Sequence, residues 1–180
     1  MEIVRGQTAL VTGASKGLGV LIAESLAAKG MNLVLAARSA ESLESVRQNI
    51  ERIGVRAIAV PTDVSDNEAL QRLMRAAVEA FGSIDVLVNN AGIEIIADYA
   101  ALTQEEIYRV IQVNLVAAME LTRLVLPGML QRNSGHVVNI ASVAGIVPTA
   151  FNESYAASKY GLVGFTRSLR LTPPQKRSSL

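Results

Sequence analysis

The sequence has 180 residues, half of them hydrophobic and 18% charged, with a formal net charge of +1. That length holds one domain with a real core, and that composition excludes a disordered chain. The small net charge excludes a global field that would recruit nucleic acid or an anionic membrane, and the lack of cysteine excludes disulfides and thiolate metal sites.

Taken in order, the chain alternates strand and helix. Thr8 to Thr12 is a short apolar run ending at Gly13 and reads as a buried strand. Leu18 to Lys29 carries helical apolar spacing at Leu18, Leu21, Ile22 and Leu26, and Gly30 stops it. Asn32 to Ala37 predicts a second buried strand. Ser39 predicts a cap for a helix with Leu43, Val46 and Ile50 on its inner face. Arg56 to Val60 reads as a third strand, and Asp66 as the cap of a helix reaching Phe81. Val86 to Val88 reads as a fourth strand, ending in Asn89-Asn90-Ala91-Gly92. Thr103 and Glu106 form a capping box that opens a long helix, reaching about Arg132 with a bend at Pro127. His136 to Ile140 is a fifth strand, and a helix containing Tyr155 follows. The alternation predicts an α/β fold, a Rossmann-like doubly wound parallel sheet with helices on both faces. In such sheets ligands bind beyond the carboxyl ends of the strands, where Thr12, Asn89 and Ser142 fall.

Met1 to Gln7 lacks the apolar run of a signal peptide, and no run of about 18 apolar residues appears, so no membrane span is expected. The expectation is a cytoplasmic protein with neither a membrane nor a nucleic-acid partner. With one histidine, His136, no metal site is expected.

Two stretches carry chemistry. Gly13, Ser15, Lys16, Gly17, Leu18 and Gly19 lie between the first strand and the first helix. Glycines there let the backbone approach a pyrophosphate, and the helix start offers free N–H groups. By itself the cluster is also compatible with an ordinary glycine-rich turn. Tyr155 and Lys159 lie four apart on one helix, so they share a face. An ammonium beside a phenol favours the phenolate, which suits proton transfer to or from an oxygen. Such a pair alone also describes two surface neighbours.

Together these stretches resemble the short-chain dehydrogenase/reductase family in its single-domain form, over about Gln7 to Leu171. The loop Thr12 to Gly19 is similar to the family's cofactor loop, and Asn89-Asn90-Ala91-Gly92 to its second hallmark. Asn114, Ser142, Tyr155 and Lys159 match its catalytic four, with Ser142 thirteen positions before Tyr155. The resemblance implies a NAD(P)H-dependent oxidoreductase, 3-oxoacyl-carrier-protein-reductase-like, that interconverts a carbonyl and an alcohol of a small-molecule substrate. It implies Tyr155 as acid and base, and Lys159 as the group that lowers its pKa and binds the nicotinamide ribose. Ser142 is implied as a donor to the substrate oxygen, and Asn114 as the holder of a water behind Lys159. It further implies that Asn89 ties neighbouring strands, that Asn90, Ala91 and Gly92 line the cofactor cleft, and that Asp63 and Val64 contact the adenine. It implies a homo-oligomer through the two long helices.

Cofactor choice follows from charge. The end of the second strand holds Ala37 and Arg38 with no carboxylate, and Arg38 with Lys16 suits a 2′-phosphate, so NADP is expected over NAD. The sequence departs from the family after Leu171, where Thr172-Pro173-Pro174 ends the helix. The expectation is therefore an incomplete NAD(P)-binding domain over residues 1–171, lacking the last strands of the family fold, and an irregular tail over residues 172–180. That leaves a second reading open, a non-catalytic dinucleotide-binding fragment or dimerisation partner.

Overall fold

The computed structural model describes residues 5–171, so the tail expected at residues 172–180 lies outside the described residues. Five strands form one parallel sheet: β1 (Thr8–Thr12), β2 (Asn32–Ala37), β3 (Ala57–Pro61), β4 (Val86–Asn89) and β5 (His136–Asn139). Their order is β3-β2-β1-β4-β5. The helices are α1 (Leu18–Ala28), α2 (Ala40–Arg52), α3 (Asn67–Phe81), α4 (Gln104–Ile111), α5 (Ala117–Arg132) and α6 (Glu153–Leu171).

Alternate residues along each strand point to opposite faces, and the core divides accordingly. Ala9, Val11, Leu33, Leu35, Val86 and Val88 pack with the inner faces of α1 and α2. Leu10, Val34, Ala36 and Leu87 pack with Leu70, Leu73 and Ala77 of α3 and with Ala117, Leu121 and Val125 of α5. Strands buried on both faces explain why β1, β2 and β4 read as continuous apolar runs rather than alternating ones. The reversal of strand order falls between β1 and β4, and the crevice above it is where a ligand of such a sheet sits.

Most expected elements are present within a residue or two, with three differences. Of the four helically spaced apolar residues of α1, Ile22 and Leu26 pack against the core but Leu18 and Leu21 are exposed, and the buried residues there are Gly19, Ala23 and Ala27. A stripe of small residues brings α1 close to the sheet. A Cβ on Gly19 would lie 2.2 Å from the Gly13 carbonyl oxygen, so no larger residue fits. The long helix is interrupted by a π-helical turn at Gln112–Val116, while α5 runs on through Pro127. Finally, Gln104–Arg132 is long and apolar enough to cross a membrane by length and composition, although no uninterrupted apolar run announces it. Val113, Ala117, Leu121, Val125 and Met129 of this helix pack into the core.

Candidate active site

The cleft begins at the end of β1. Thr12 Oγ1 donates to the Val88 carbonyl and accepts from the backbone N–H groups of Asn90 and Ala91, both at 3.0 Å. Asn90 Nδ2 donates back to the Thr12 carbonyl at 2.9 Å. These bonds lock the loop after β1 to the loop after β4. Gly13, at φ +66°, would place a Cβ 2.9 Å from Asn90 Nδ2, so the loops approach this closely only because that position is glycine.

The helix starts differ around the cleft. Ser39 caps α2, Asp66 caps α3, and Thr103 caps α4 in the expected capping box with Glu106. Helix α1 begins at Gly17 with no side-chain cap and no acidic residue in its first turn. Its first amides and the positive end of its dipole are left for an anion.

Beside that start lies an open cavity of about 520 Å³. Gly13, Ser15, Lys16, Gly17, Leu18, Gly19, Arg38, Asp63, Val64, Asn90, Ala91 and Gly92 all line it. Every residue expected at the cofactor is therefore brought together here, apart from Tyr155 and Lys159. Residues not anticipated also line it, among them Ser39, Ser42, Thr62 and Arg109. Ser39 was legible as a helix cap, a role it does play, while Thr62, just past β3, was not singled out. Arg109 carried no local signal, since only the path of α4 brings it to the cavity.

Asp63 is held by its own loop. Its Oδ1 accepts from the Ser65 hydroxyl at 2.7 Å and the Ser65 backbone N–H at 2.9 Å. These two bonds, helped by the charges of Arg38 and Arg109, keep its carboxyl below the usual carboxylate range.

Four further residues lie past Gly92. Lys159 is 4% exposed, and its Nζ donates to the Ile140 carbonyl at 2.8 Å and lies 5.6 Å from the centre of the Tyr155 ring. The shared helix face is thus present as expected. Burial pushes the Lys159 ammonium down from the usual lysine range. A Cβ on Gly92 would sit 3.8 Å from that Nζ and 3.4 Å from Asn114 Oδ1, so Gly92 joins the cavity to the Lys159 group. Asn114 lies in the π-helical turn and clamps the strand-four loop, accepting from the Ile93 N–H and donating to the Ile93 carbonyl, both at 2.8 Å. It also donates to Ser158 Oγ at 3.1 Å. Ser142 starts a short 3₁₀ turn, where its Oγ accepts from the Ala144 N–H at 3.2 Å and keeps its own proton for another acceptor. That turn rests on α6, since a Cβ on Gly145 would lie 2.8 Å from the Lys159 carbonyl oxygen. Asn89 ties β4 to β5 through Asn139 at 2.8 Å.

Comparison with known proteins agrees with this geometry. Residues 7–177 match the short chain dehydrogenase family. The chain belongs to that family. Among short-chain dehydrogenases it is 46% identical over 170 residues to ketoacyl reductase HetN of a Nostoc species, covering 94% of this chain and 59% of that protein. It is similar in structure to a metagenomic short-chain oxidoreductase solved in complex with NADP, with a TM-score of 0.89 and 38% identity, covering 93% of this chain and 76% of that one. It is also similar to a variant of actinorhodin polyketide ketoreductase solved with NADPH, with a TM-score of 0.88 and 38% identity, covering 91% of this chain and 64% of that one. This short-chain dehydrogenase thus spans about six-tenths of the length of the Nostoc relative.

Proposed function

We propose that the chain carries the cofactor site and the proton-transfer groups of an NADP-preferring oxidoreductase that interconverts a carbonyl and an alcohol, with 3-oxoacyl thioesters as its substrate class. The observation that carries this reading is the cavity: twelve residues selected from sequence line it together, beside an uncapped helix start and next to the Lys159–Tyr155 pair. The substrate class rests on similarity to a ketoacyl reductase and a polyketide ketoreductase.

The residues present fit a nicotinamide dinucleotide. Gly13, Gly17 and Gly19 leave the cavity floor without side chains, and the free amides of α1 suit the pyrophosphate. Lys16 and Arg38 suit a 2′-phosphate, and Asp63 and the Val64 backbone suit the adenine edge. When bound, the nicotinamide supplies or accepts the hydride. Tyr155 holds the proton at its phenolic oxygen and gives it to the carbonyl oxygen, or takes it back from the alcohol. Lys159 places its ammonium beside that phenol ring, within reach of the ribose of a bound nicotinamide. Ser142 directs its free O–H at the substrate oxygen, where negative charge develops. Asn114 ties the loop carrying Gly92 to Ser158, the residue before Lys159 on α6. Tyr108, Met119 and Tyr160, large exposed side chains on the long helices, suit contact with a second copy, which sedimentation checks.

The test is steady-state turnover of NADPH and NADH with 3-oxoacyl thioesters and simple ketones. The expected result is oxidation of NADPH with a lower KM than NADH; a lower KM for NADH refutes the preference. Saturable NADPH binding with no turnover favours the non-catalytic reading.

A further inference from the structure

The cavity holds one cation that neither the glycine loop nor the end of β2 accounts for. Arg109 lies on α4, the helix that follows β4, whereas Arg38 follows β2, so the two guanidiniums enter one cavity from different elements. Arg109 is exposed at the rim. Both arginines are close enough to act on the Asp63 carboxylate, which places them around the same end of the cleft.

Neither arginine is held by a hydrogen bond or ion pair among the described residues, whereas six others are. Arg47, Arg72, Arg123 and Arg132 are each paired with a carboxylate. Arg52 donates to Asn49, and Arg56 donates to the Ala80 carbonyl and lies over the Phe81 ring. Arg38 and Arg109 have no such partner among the described residues. The Asp63 oxygen that Ser65 uses is already committed within its own loop. Three cations, Lys16, Arg38 and Arg109, thus line the cavity with one carboxylate, Asp63, and two of them act on it. The surplus is positive, and an arginine fork suits a phosphate group.

We propose that Arg109 is a specificity-determining residue of the cofactor cleft, supplying from α4 a second guanidinium that favours a dinucleotide phosphorylated on its adenosine ribose. This rests on the dinucleotide reading above and adds a residue to it. The physical basis is Coulombic. A phosphate carries nearly two charges where an unphosphorylated ribose carries none, so a cation at the rim separates the two nucleotides. The separation is screened as ionic strength rises, because the Debye length falls from about 10 Å at 0.1 M to about 3 Å at 1 M salt.

The experiment is calorimetric titration of NADPH and NADH into the full chain, as wild type, Arg109→Gln, Arg109→Lys and Arg38→Gln, at low and high salt. Arg109→Gln is expected to raise the Kd for NADPH about threefold to tenfold at low salt while leaving that for NADH within about twofold. Arg109→Lys is expected to keep most of the affinity, and the loss in Arg109→Gln to shrink at high salt. Unchanged NADPH affinity in Arg109→Gln overturns the inference, as does an equal loss for both nucleotides without rescue by lysine, since that pattern belongs to a residue that only shapes the loop. Wild-type chain that binds neither nucleotide overturns the dinucleotide reading itself, a result distinct from an unaffected Arg109 variant.

Discussion

At the nucleotide side of the cleft, the ends of β1 and β4 are cross-braced by Thr12 and Asn90, and β1, β2 and β4 are almost wholly buried. On the β5 side, the strand alternates between exposed and half-buried residues. The loops after β4 and β5 there leave large apolar side chains open, with Ile96 71%, Val143 73% and Phe151 60% exposed. Phe151 also takes a left-handed backbone, φ +59°, that a side chain of its kind rarely adopts. The nucleotide side is therefore closed by its own packing, while the side where a substrate would lie leaves apolar loop side chains uncovered. Substitutions should be costly to the fold on the first side and cheap at the exposed loop positions of the second.

The largest effect is expected where chemistry meets the tolerant side. Tyr155→Phe is expected to lower the rate of carbonyl reduction by about 10²–10⁴-fold, with NADPH affinity retained, since only the proton donor is removed. A variant with near-normal turnover would remove Tyr155 from the mechanism. Gly19→Ala comes next, because its Cβ would overlap the Gly13 carbonyl oxygen. It is expected to lower the melting temperature and to abolish the rise in melting temperature that NADPH gives the wild type.

The contrast in packing is sharpened by one pair of variants. Ala23→Leu, on the buried stripe of α1, is expected to destabilise by about 1–3 kcal/mol in denaturant titration. Val143→Ser, on the open side, is expected to stay within about 0.5 kcal/mol. Equal costs would break the comparison.

Lys159 gives a pH test. Its folded pKa lies below the unfolded value, because burial opposes the charge. The unfolded chain therefore binds more protons between the two values, and this group makes stability rise with pH across that window. Lys159→Met is expected to flatten that rise and to leave stability at neutral pH unchanged or higher, while turnover is lost. The smallest effect is at Asp63. Ser65→Ala removes the hydroxyl that most lowers its pKa, so an NMR titration is expected to show that pKa moving up toward the ordinary value, and a stationary one would contradict the assignment.

Much of this was legible from sequence because local rules and the fold agree. The apolar runs of β1, β2 and β4, the caps at Ser39, Asp66 and Thr103, and the spacing of Tyr155 and Lys159 each act within a few residues. What escaped depends on distant neighbours. Leu18 and Leu21 satisfy helical spacing, but Gly19, Ala23 and Ala27 give the closer approach to the sheet and so win the inner face. The π-helical turn at Asn114 is set by its hydrogen bonds to Ile93 and Ser158, 21 and 44 residues away. Arg109 reaches the cavity only because α4 returns across the strand ends.

The proposed chemistry requires that the nucleotide cleft bind its cofactor as it stands. Calorimetric titration of the wild-type chain with NADPH tests this directly. One saturable site per chain, retained in Tyr155→Phe and lost in Gly19→Ala, is the predicted result; heat of dilution alone for the folded wild type would contradict it.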